Sequence, residues 1–137
     1  MAVVLDTDHL SILLQETQPS CSRLLARLDR LPADDVATTI VCFQEAVQGW
    51  LAHLNRARKD AQVLHAYAEL DAIWRAFCKM NVIPFDAEAL DSFHSLRPRC
   101  RRVATLDLRI ACVAITTDAL LLSCNLRDFR QVPGAAR

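Results

Sequence analysis

The sequence has few of the residues that make flexible or irregular chains, with two glycines and five prolines among 137 residues. It therefore contains no stretch with the composition of a flexible linker, and no glycine-rich loop of the kind that cradles phosphate groups. Its four histidines form no H-E-x-x-H pair, which argues against a zinc site. No apolar run is long enough to span a bilayer.

Neither charge sign is in excess, since 16 Lys and Arg balance 16 Asp and Glu. Any indication of a nucleic-acid partner must therefore come from local clusters. The six cysteines form no C-x-x-C pair and mostly lie in apolar patterns, which is typical of reduced, buried residues. The N-terminal segment lacks a basic region and reaches a charge at Asp6, unlike a signal peptide. We therefore expect a cytoplasmic protein that does not enter a membrane.

Short apolar runs alternate with longer helical patterns along the chain. Strands are predicted at residues 3–5, 36–38, 82–85 and 119–123. Two helical segments are predicted in each interval between strands, and this order implies a parallel sheet, because parallel neighbours need crossover connections. With 53% hydrophobic residues, the sequence predicts one α/β domain spanning residues 1–137, built on a central parallel sheet with helices on both faces.

Helices are expected at about residues 20–30, from residue 39 to about 80, after Asp86, and at about residues 105–117. The second of these stretches is long, and we expect a break near residues 56–59. Trp50, Tyr67 and Trp74 are spaced with aliphatic residues along it, which predicts core or dimer contacts.

Four carboxylates occur where apolar runs give way to polar sequence: Asp6, Glu45, Asp107 and Asp128. Asp6 directly follows the first predicted strand and Asp128 follows the fourth, so the two can converge at one sheet edge. Glu45 has apolar neighbours on its helix, and Asp107 lies in the first turn of an apolar helix. Taken singly, Asp6 and Asp107 also fit the start of a helix, and Asp128 fits an ordinary polar loop.

Together these four acids predict a metal site. Crowded carboxylates repel one another unless a divalent cation lies between them, and hard oxygen ligands suit Mg²⁺, with Mn²⁺ as a substitute. Metal ions held in this way activate water for phosphodiester hydrolysis and stabilise the charge that develops. Water is therefore the expected nucleophile.

Arginines cluster in the segment RPRCRR, which comes just before the helix that carries Asp107. We predict that Arg99, Arg101 and Arg102 contact RNA phosphates beside the metal, and the alternative is a solvated loop. Arg97 belongs to the same cluster. No aromatic residue is interleaved with these arginines, so base stacking is not predicted there.

Four segments that contain the acids resemble, in order, the motifs of a PIN domain: LDTDHLSIL, TTIVCFQEAVQGW, ATLDLRIACVAI and LLLSCNLRDFRQVPG. The resemblance extends from Val3 to Gly134, and it is to the VapC-type toxin ribonucleases of toxin–antitoxin pairs. It implies that Asp6, Glu45, Asp107 and Asp128 are the catalytic acids of the family. Asp6 and Asp107 would then be the principal direct ligands of Mg²⁺.

The same resemblance implies an RNA substrate and a cognate antitoxin that holds the enzyme inactive. Ser123 and Asn125 stand where the family usually has Thr-x-Asn, so both are expected to support the site. A helix bearing Trp50, Leu51 and Leu54 further suggests a homodimer with an exposed apolar groove for an antitoxin segment.

Two other functions fit parts of the sequence. The segment VVLDTD also fits a haloacid-dehalogenase-type phosphatase with Asp6 as its nucleophile, although Lys59 and Lys79 are poorly placed for that reaction. A PIN-like module that binds RNA or protein without cutting it is the second alternative. Phosphoenzyme trapping would identify the phosphatase, and metal-dependent RNA cleavage would exclude the binding module.

Overall fold

The described part of the chain is built around a parallel four-stranded sheet. A computed structural model describes residues 3–6, 26, 30–122 and 132–134. The strands are β1 (Val3–Leu5), β2 (Val36–Thr39), β3 (Asn81–Ile83) and β4 (Leu120–Leu122). Their order across the sheet is β3-β2-β1-β4, and all neighbours are parallel. The α/β fold with a parallel sheet, as predicted from the sequence, is confirmed.

Pairs of helices connect the later strands. Helices α1 (Ile40–Arg56) and α2 (Asp60–Cys78) link β2 to β3, while α3 (Ala87–Leu96) and α4 (Thr105–Thr116) link β3 to β4. The predicted break near residues 56–59 is therefore confirmed. The helix predicted at residues 20–30 lies almost wholly outside the described residues. None of the described helices combines the length and apolar character that crossing a membrane requires.

Side chains satisfy backbone groups where these helices begin. The Thr39 hydroxyl accepts a hydrogen bond from the Cys42 amide at 3.1 Å, and an Asp86 carboxylate oxygen accepts one from the Ala89 amide at 3.0 Å. Both contacts satisfy backbone amides of the first turn, which have no hydrogen-bond partner within the helix. Thr39 is also the last residue of β2, so the strand passes into α1 without a loop.

The core is densest around α4, whose apolar residues are buried on several sides. Six of its twelve residues are buried: Leu108, Ile110, Ala111, Cys112, Val113 and Ala114. All of these except Val113 join Val4 of β1 and Leu121 of β4 in one hydrophobic cluster. An edge-to-face contact between Phe43 and Phe77, with ring centres 5.1 Å apart, joins the start of α1 to the end of α2. The central strands are therefore tightly covered.

Of the three aromatic residues predicted to make core or dimer contacts, two lie outside the core, and their dimer role stays a prediction. Tyr67 and Trp74 are 57% and 60% exposed, and they belong with Leu64 to an outward stripe of α2. The helix instead buries Ala66, Ile73 and Phe77. Trp50 is half-buried and packs against the core as predicted. The sequence of α2 contains two apolar stripes, and periodicity alone does not decide which of them faces inward.

Candidate acidic site at the sheet edge

Strand topology directs several chain segments to one edge of the sheet. Asp6 directly follows β1, which lies between β2 and β4. Helix α1 begins where β2 ends, and α4 returns the chain to the start of β4. Because the strands are parallel, the beginnings of α1 and α4 lie towards the edge at which β1 ends. This edge is where ligands bind in open parallel sheets.

The backbone before Asp6 is held by polar contacts from the junction of β2 and α1. The carbonyl oxygen of Leu5 accepts hydrogen bonds from the Thr38 hydroxyl at 3.1 Å and from the Cys42 thiol at 3.6 Å. The Thr39 hydroxyl in turn donates to the Cys42 sulfur at 3.3 Å. Asp6 is itself buried, with 5% of its surface exposed. Its carboxylate therefore extends from a backbone that is fixed on the side of β2.

The other two described acids lie near the starts of helices. Glu45 is in the second turn of α1 and is half-buried, as its apolar neighbours in the sequence predict. Asp107 is in the first turn of α4 and is also half-buried. The positive end of the α4 dipole favours a negative charge at this position. Both placements fit the predicted acidic edge.

The complete four-acid site stays a prediction. Within the part of the chain that the structure describes, no three His, Cys, Asp or Glu side chains form a group that could hold a metal ion. Asp6, Glu45 and Asp107 therefore do not make a closed site by themselves. Asp128, Ser123 and Asn125 lie outside the described residues. The chemistry of the donors fits Mg²⁺, which usually keeps several waters and needs only one or two carboxylates.

The arginine cluster divides into two kinds of residue. Arg97 is half-buried, and its Nη2 donates hydrogen bonds to the carbonyls of Cys100 and Val103, both at 2.7 Å. It thereby closes the loop that leads into α4. Arg99, Arg101 and Arg102 are exposed on that loop. Their predicted contact with RNA is untested, but their exposure is compatible with it.

An open apolar groove of about 540 Å³ begins beside the acidic edge. It contains the first residues of α1 and reaches Phe85, α3 and Arg109 of α4. Its apolar lining includes Ile40, Phe43, Val47, Phe85 and Leu90, and its polar lining is Gln44, Gln48 and Arg109. Ile40 and Leu90 are both 43% exposed. Such surface exposure of large aliphatic side chains is typical of a contact surface.

The residues that fix the Leu5 carbonyl were not predicted from the sequence. Thr38 and Cys42 contact β1 across 33 and 37 positions of sequence, and such pairing depends on strand order. The adjacent threonines at the end of a predicted strand were the available indication, because a buried hydroxyl there requires a partner. Cys42 gave no such indication, since a cysteine in an apolar pattern usually packs as a small hydrophobic residue.

Several solved structures share this fold. A chain of DNA-bound VapBC from Salmonella typhimurium is 18% identical with a TM-score of 0.77, and the match covers 99% of this chain and 96% of that one. A chain of VapBC-1 from nontypeable Haemophilus influenzae is 20% identical with a TM-score of 0.74, with coverage of 99% and 96%. A chain of VapBC-5 from Mycobacterium tuberculosis, of the VapBC family of toxin–antitoxin systems, is 25% identical with a TM-score of 0.60, with coverage of 99% and 94%.

Sequence comparison gives the family directly. No curated protein matches the chain significantly. The sequence model of the PIN domain, however, matches residues 3–135, which includes all four predicted acids. The chain belongs to the PIN domain family.

Proposed function

We propose that this chain is the toxin of a toxin–antitoxin pair and acts as a Mg²⁺-dependent endoribonuclease in the cytoplasm. The observation that carries the proposal is the buried Asp6 at the end of the central strand β1, on a backbone fixed by Thr38 and Cys42. Membership of the PIN domain family supports a nuclease, and the VapBC neighbours support a toxin. Membership of the PIN domain family also weighs against a haloacid-dehalogenase-type phosphatase.

In the proposed reaction, Asp6 and Asp107 hold Mg²⁺ directly, and Glu45 and Asp128 complete the acidic set. When bound, the metal supplies an activated water and stabilises charge on the attacking and leaving oxygens. Glu45 would hold the attacking water by accepting a hydrogen bond from it. The exposed Arg99, Arg101 and Arg102 contact neighbouring phosphates, while Ser123 and Asn125 support the acids from the loop after β4.

Substitution of the two principal ligands tests the proposal. Asp6→Asn and Asp107→Asn each keep the side-chain shape and remove a ligand charge, so each should lower Mg²⁺-dependent RNA cleavage by roughly 100-fold or more. The exposed Asp91 of α3 provides a control of the same chemistry, and Asp91→Asn should cleave like the parent. Full activity in either folded ligand variant would contradict the proposed site.

A PIN-like module that binds without cutting is the second candidate. The observation that favours it is the exposure of Arg99, Arg101 and Arg102, which can contact phosphates whether or not the acids hold a metal. This module would bind RNA or protein equally well with Mg²⁺ and with a chelator, and would release no shortened RNA. Cleavage that requires Mg²⁺ or Mn²⁺ and is lost in Asp6→Asn would exclude it.

The proposed antitoxin contact is the groove lined by Ile40, Phe43, Val47, Phe85 and Leu90, in place of the helix face of Trp50, Leu51 and Leu54 that the sequence suggested. An amphipathic segment can bury apolar side chains there, and Gln44 and Gln48 can bond its polar groups. Because the groove begins with the first residues of α1, a segment seated in it would also cover the path of RNA to Asp6. The VapBC neighbours support a partner of this kind.

Coexpression with the product of an adjacent small reading frame tests the groove. Leu90→Gln places an amide on an exposed groove position and should weaken capture of that product without loss of cleavage. Leu51→Gln changes an equally exposed leucine outside the groove and serves as the control. Equal capture by both variants would contradict the assignment.

We further propose a homodimer that forms through the exposed face of α2. Leu64, Tyr67 and Trp74 recur at helical spacing and are each more than half exposed. Burial of such side chains against a second copy would remove them from water. Leu64→Lys together with Tyr67→Lys should then give a monomer in sedimentation analysis, and an unchanged mass would contradict this interface.

A further inference from the structure

A second cavity, of about 450 Å³, lies at the tip of the α1–α2 hairpin. It is formed by the last turns of α1, the connection after it and the first turns of α2. Its lining residues are Trp50, His53, Arg56, Ala57, Gln62 and His65. They are aromatic, basic or amide-bearing apart from one alanine, and no carboxylate is among them. The site described above, by contrast, is acidic.

The indole of Trp50 is the centre of this cavity. The His53 ring lies with its centre 4.9 Å from the indole centre at an interplanar angle of 34°. The His65 ring lies 5.2 Å away and nearly perpendicular, at 84°. Trp50 packs against the core from one side and is half-buried, while both histidines are exposed. The indole thus lies at the surface between two imidazole rings, with the core on its other side, where a base can join the aromatic cluster.

Cations are concentrated beside this platform. Arg56, Arg58 and Lys59 are three cations within four residues, and they are exposed. Asp60 follows them as the first residue of α2 and does not line the cavity. The chain as a whole carries equal numbers of positive and negative residues, so this local excess is a property of the hairpin tip. Its charge complements the phosphates of a nucleic acid.

The hairpin turn also has a fixed backbone. The Gln62 carbonyl oxygen Oε1 accepts hydrogen bonds from the amides of Arg58 and Lys59, at 2.9 and 3.2 Å. The amide of Ala57 donates to the Leu54 carbonyl at 3.2 Å. These bonds hold the turn that presents the cations, so little backbone freedom is lost when a ligand binds.

We propose that the cavity at the hairpin tip is a binding site for single-stranded RNA, separate from the acidic edge. An unpaired base stacks on Trp50, and Arg56 and Arg58 contact the phosphates that flank it. The proposal rests on the proposed function, because the occupant is the substrate of that function. Helix α1 spans about 24 Å from Ile40 to Arg56, so the tip holds a part of the RNA distant from the cleaved bond.

Fluorescence of Trp50 measures occupancy without cleavage. The chain has two tryptophans, and Trp74→Phe leaves Trp50 as the single emitter. With a chelator present, titration with a 20-nucleotide oligouridine should quench Trp50 emission to a saturating level. The same titration with a poly-glutamate peptide should leave the emission unchanged, because its carboxylates can pair with the cations but it has no base to stack on the indole.

Charge-matched variants test whether RNA contacts the hairpin tip or other parts of the surface. Arg56→Gln with Arg58→Gln should lower the slope of log affinity against log salt by about 1.4, since each phosphate contact to a single strand contributes about 0.7. Arg75→Gln with Lys79→Gln removes the same charge from positions outside the cavity and should leave the slope unchanged.

The outcomes distinguish this site from the nuclease proposal. RNA that binds without quenching Trp50, or with equal salt slopes in both double variants, overturns the hairpin site even if the parent cleaves RNA. Absence of RNA binding also overturns it, as does quenching by poly-glutamate instead of RNA. Quenching and a lowered slope in a protein that never cleaves RNA would support the hairpin site and contradict the nuclease.

Discussion

At the scale of single residues, the carbonyl oxygen of Leu5 connects the end of β1, where Asp6 lies, to the junction of β2 and α1. It accepts from Thr38 of β2 and Cys42 of α1, and it immediately precedes Asp6. All these groups are buried, so a lost donor is not replaced by water. The position of the Asp6 backbone therefore depends on a hydroxyl that takes no part in chemistry.

Thr38→Val tests this dependence, because valine keeps the shape and removes the donor. The free energy of unfolding should fall by about 1–2 kcal/mol, because the buried Leu5 carbonyl loses the hydroxyl donor and keeps only the longer contact with the Cys42 thiol. Thr116→Val is the control: the Thr116 hydroxyl bonds the Cys112 and Val113 carbonyls within its own helix. Its effect should stay within about 0.5 kcal/mol in urea denaturation. If both variants lose the same unfolding free energy, the hydrogen bond from Thr38 to Leu5 contributes no more than a bond within a helix.

The buried thiol of Cys112 makes the free energy of unfolding depend on pH in alkaline solution. Burial raises the pKa of its thiol above the ordinary value of 9.0, with an opposing hydrogen bond to Ser92 and a small addition from Cys100. The folded state thus holds this proton more tightly than the unfolded state does. Stability is intact below pH 9 and is lost as pH rises from there through the raised folded pKa, by at most about 1.4 kcal/mol per pH unit.

Cys112→Ala should flatten this alkaline loss, whatever its effect at neutral pH. The exposed Cys78 gives the control, since Cys78→Ala should keep the pH slope of the parent. Urea denaturation at pH 7, 9 and 10 measures both. If Cys112→Ala does not change the slope of unfolding free energy against pH, the Cys112 thiol does not cause the alkaline loss of stability.

At the scale of elements, the loop before α4 combines one structural arginine with three exposed ones. Arg97→Lys should loosen this loop, because a lysine ammonium does not reproduce the planar fork of donors by which Arg97 reaches the Cys100 and Val103 carbonyls. Amide hydrogen exchange should rise at residues 101–104 and stay unchanged in Arg99→Lys. Unaltered exchange in Arg97→Lys would show that the loop is held by other contacts.

The three exposed arginines should behave differently. Replacing Arg99, Arg101 and Arg102 together with Gln should leave the unfolding free energy almost unchanged and lower the salt slope of RNA binding by about 2. A normal slope would indicate that these side chains are only solvated. Comparison with the variants of the hairpin tip then shows whether RNA contacts one basic surface or both.

Element positions were largely predictable from sequence, whereas the orientation of some elements was not. Apolar runs such as Val3–Leu5 and the polar break at residues 57–59 are local patterns, and the structure has both. The sequence left open whether Tyr67 and Trp74 of α2 face the core or a second copy, because Leu64, Tyr67 and Trp74 are as apolar as residues that face inward. Likewise, Arg97 differs from Arg99 only in contacts that form once the loop has folded.

For the whole molecule, the acidic edge predicts that metal binding and folding are coupled. A ligand that binds only the folded state at 100 times its dissociation constant stabilises it by about 2.7 kcal/mol. Added Mg²⁺ should therefore raise the melting temperature of the parent and have little effect on Asp107→Asn. Equal shifts in the two proteins would count against direct ligation by Asp107.

The direct passage of β2 into α1 also restricts how this chain can change in length. A residue inserted between Thr39 and Ile40 would rotate α1 by about 100° relative to the sheet, since each residue advances a helix by that angle. Cys42 would then leave the Leu5 carbonyl, and Glu45 would turn away from the acidic edge. Insertions and deletions are therefore expected to be excluded from this junction.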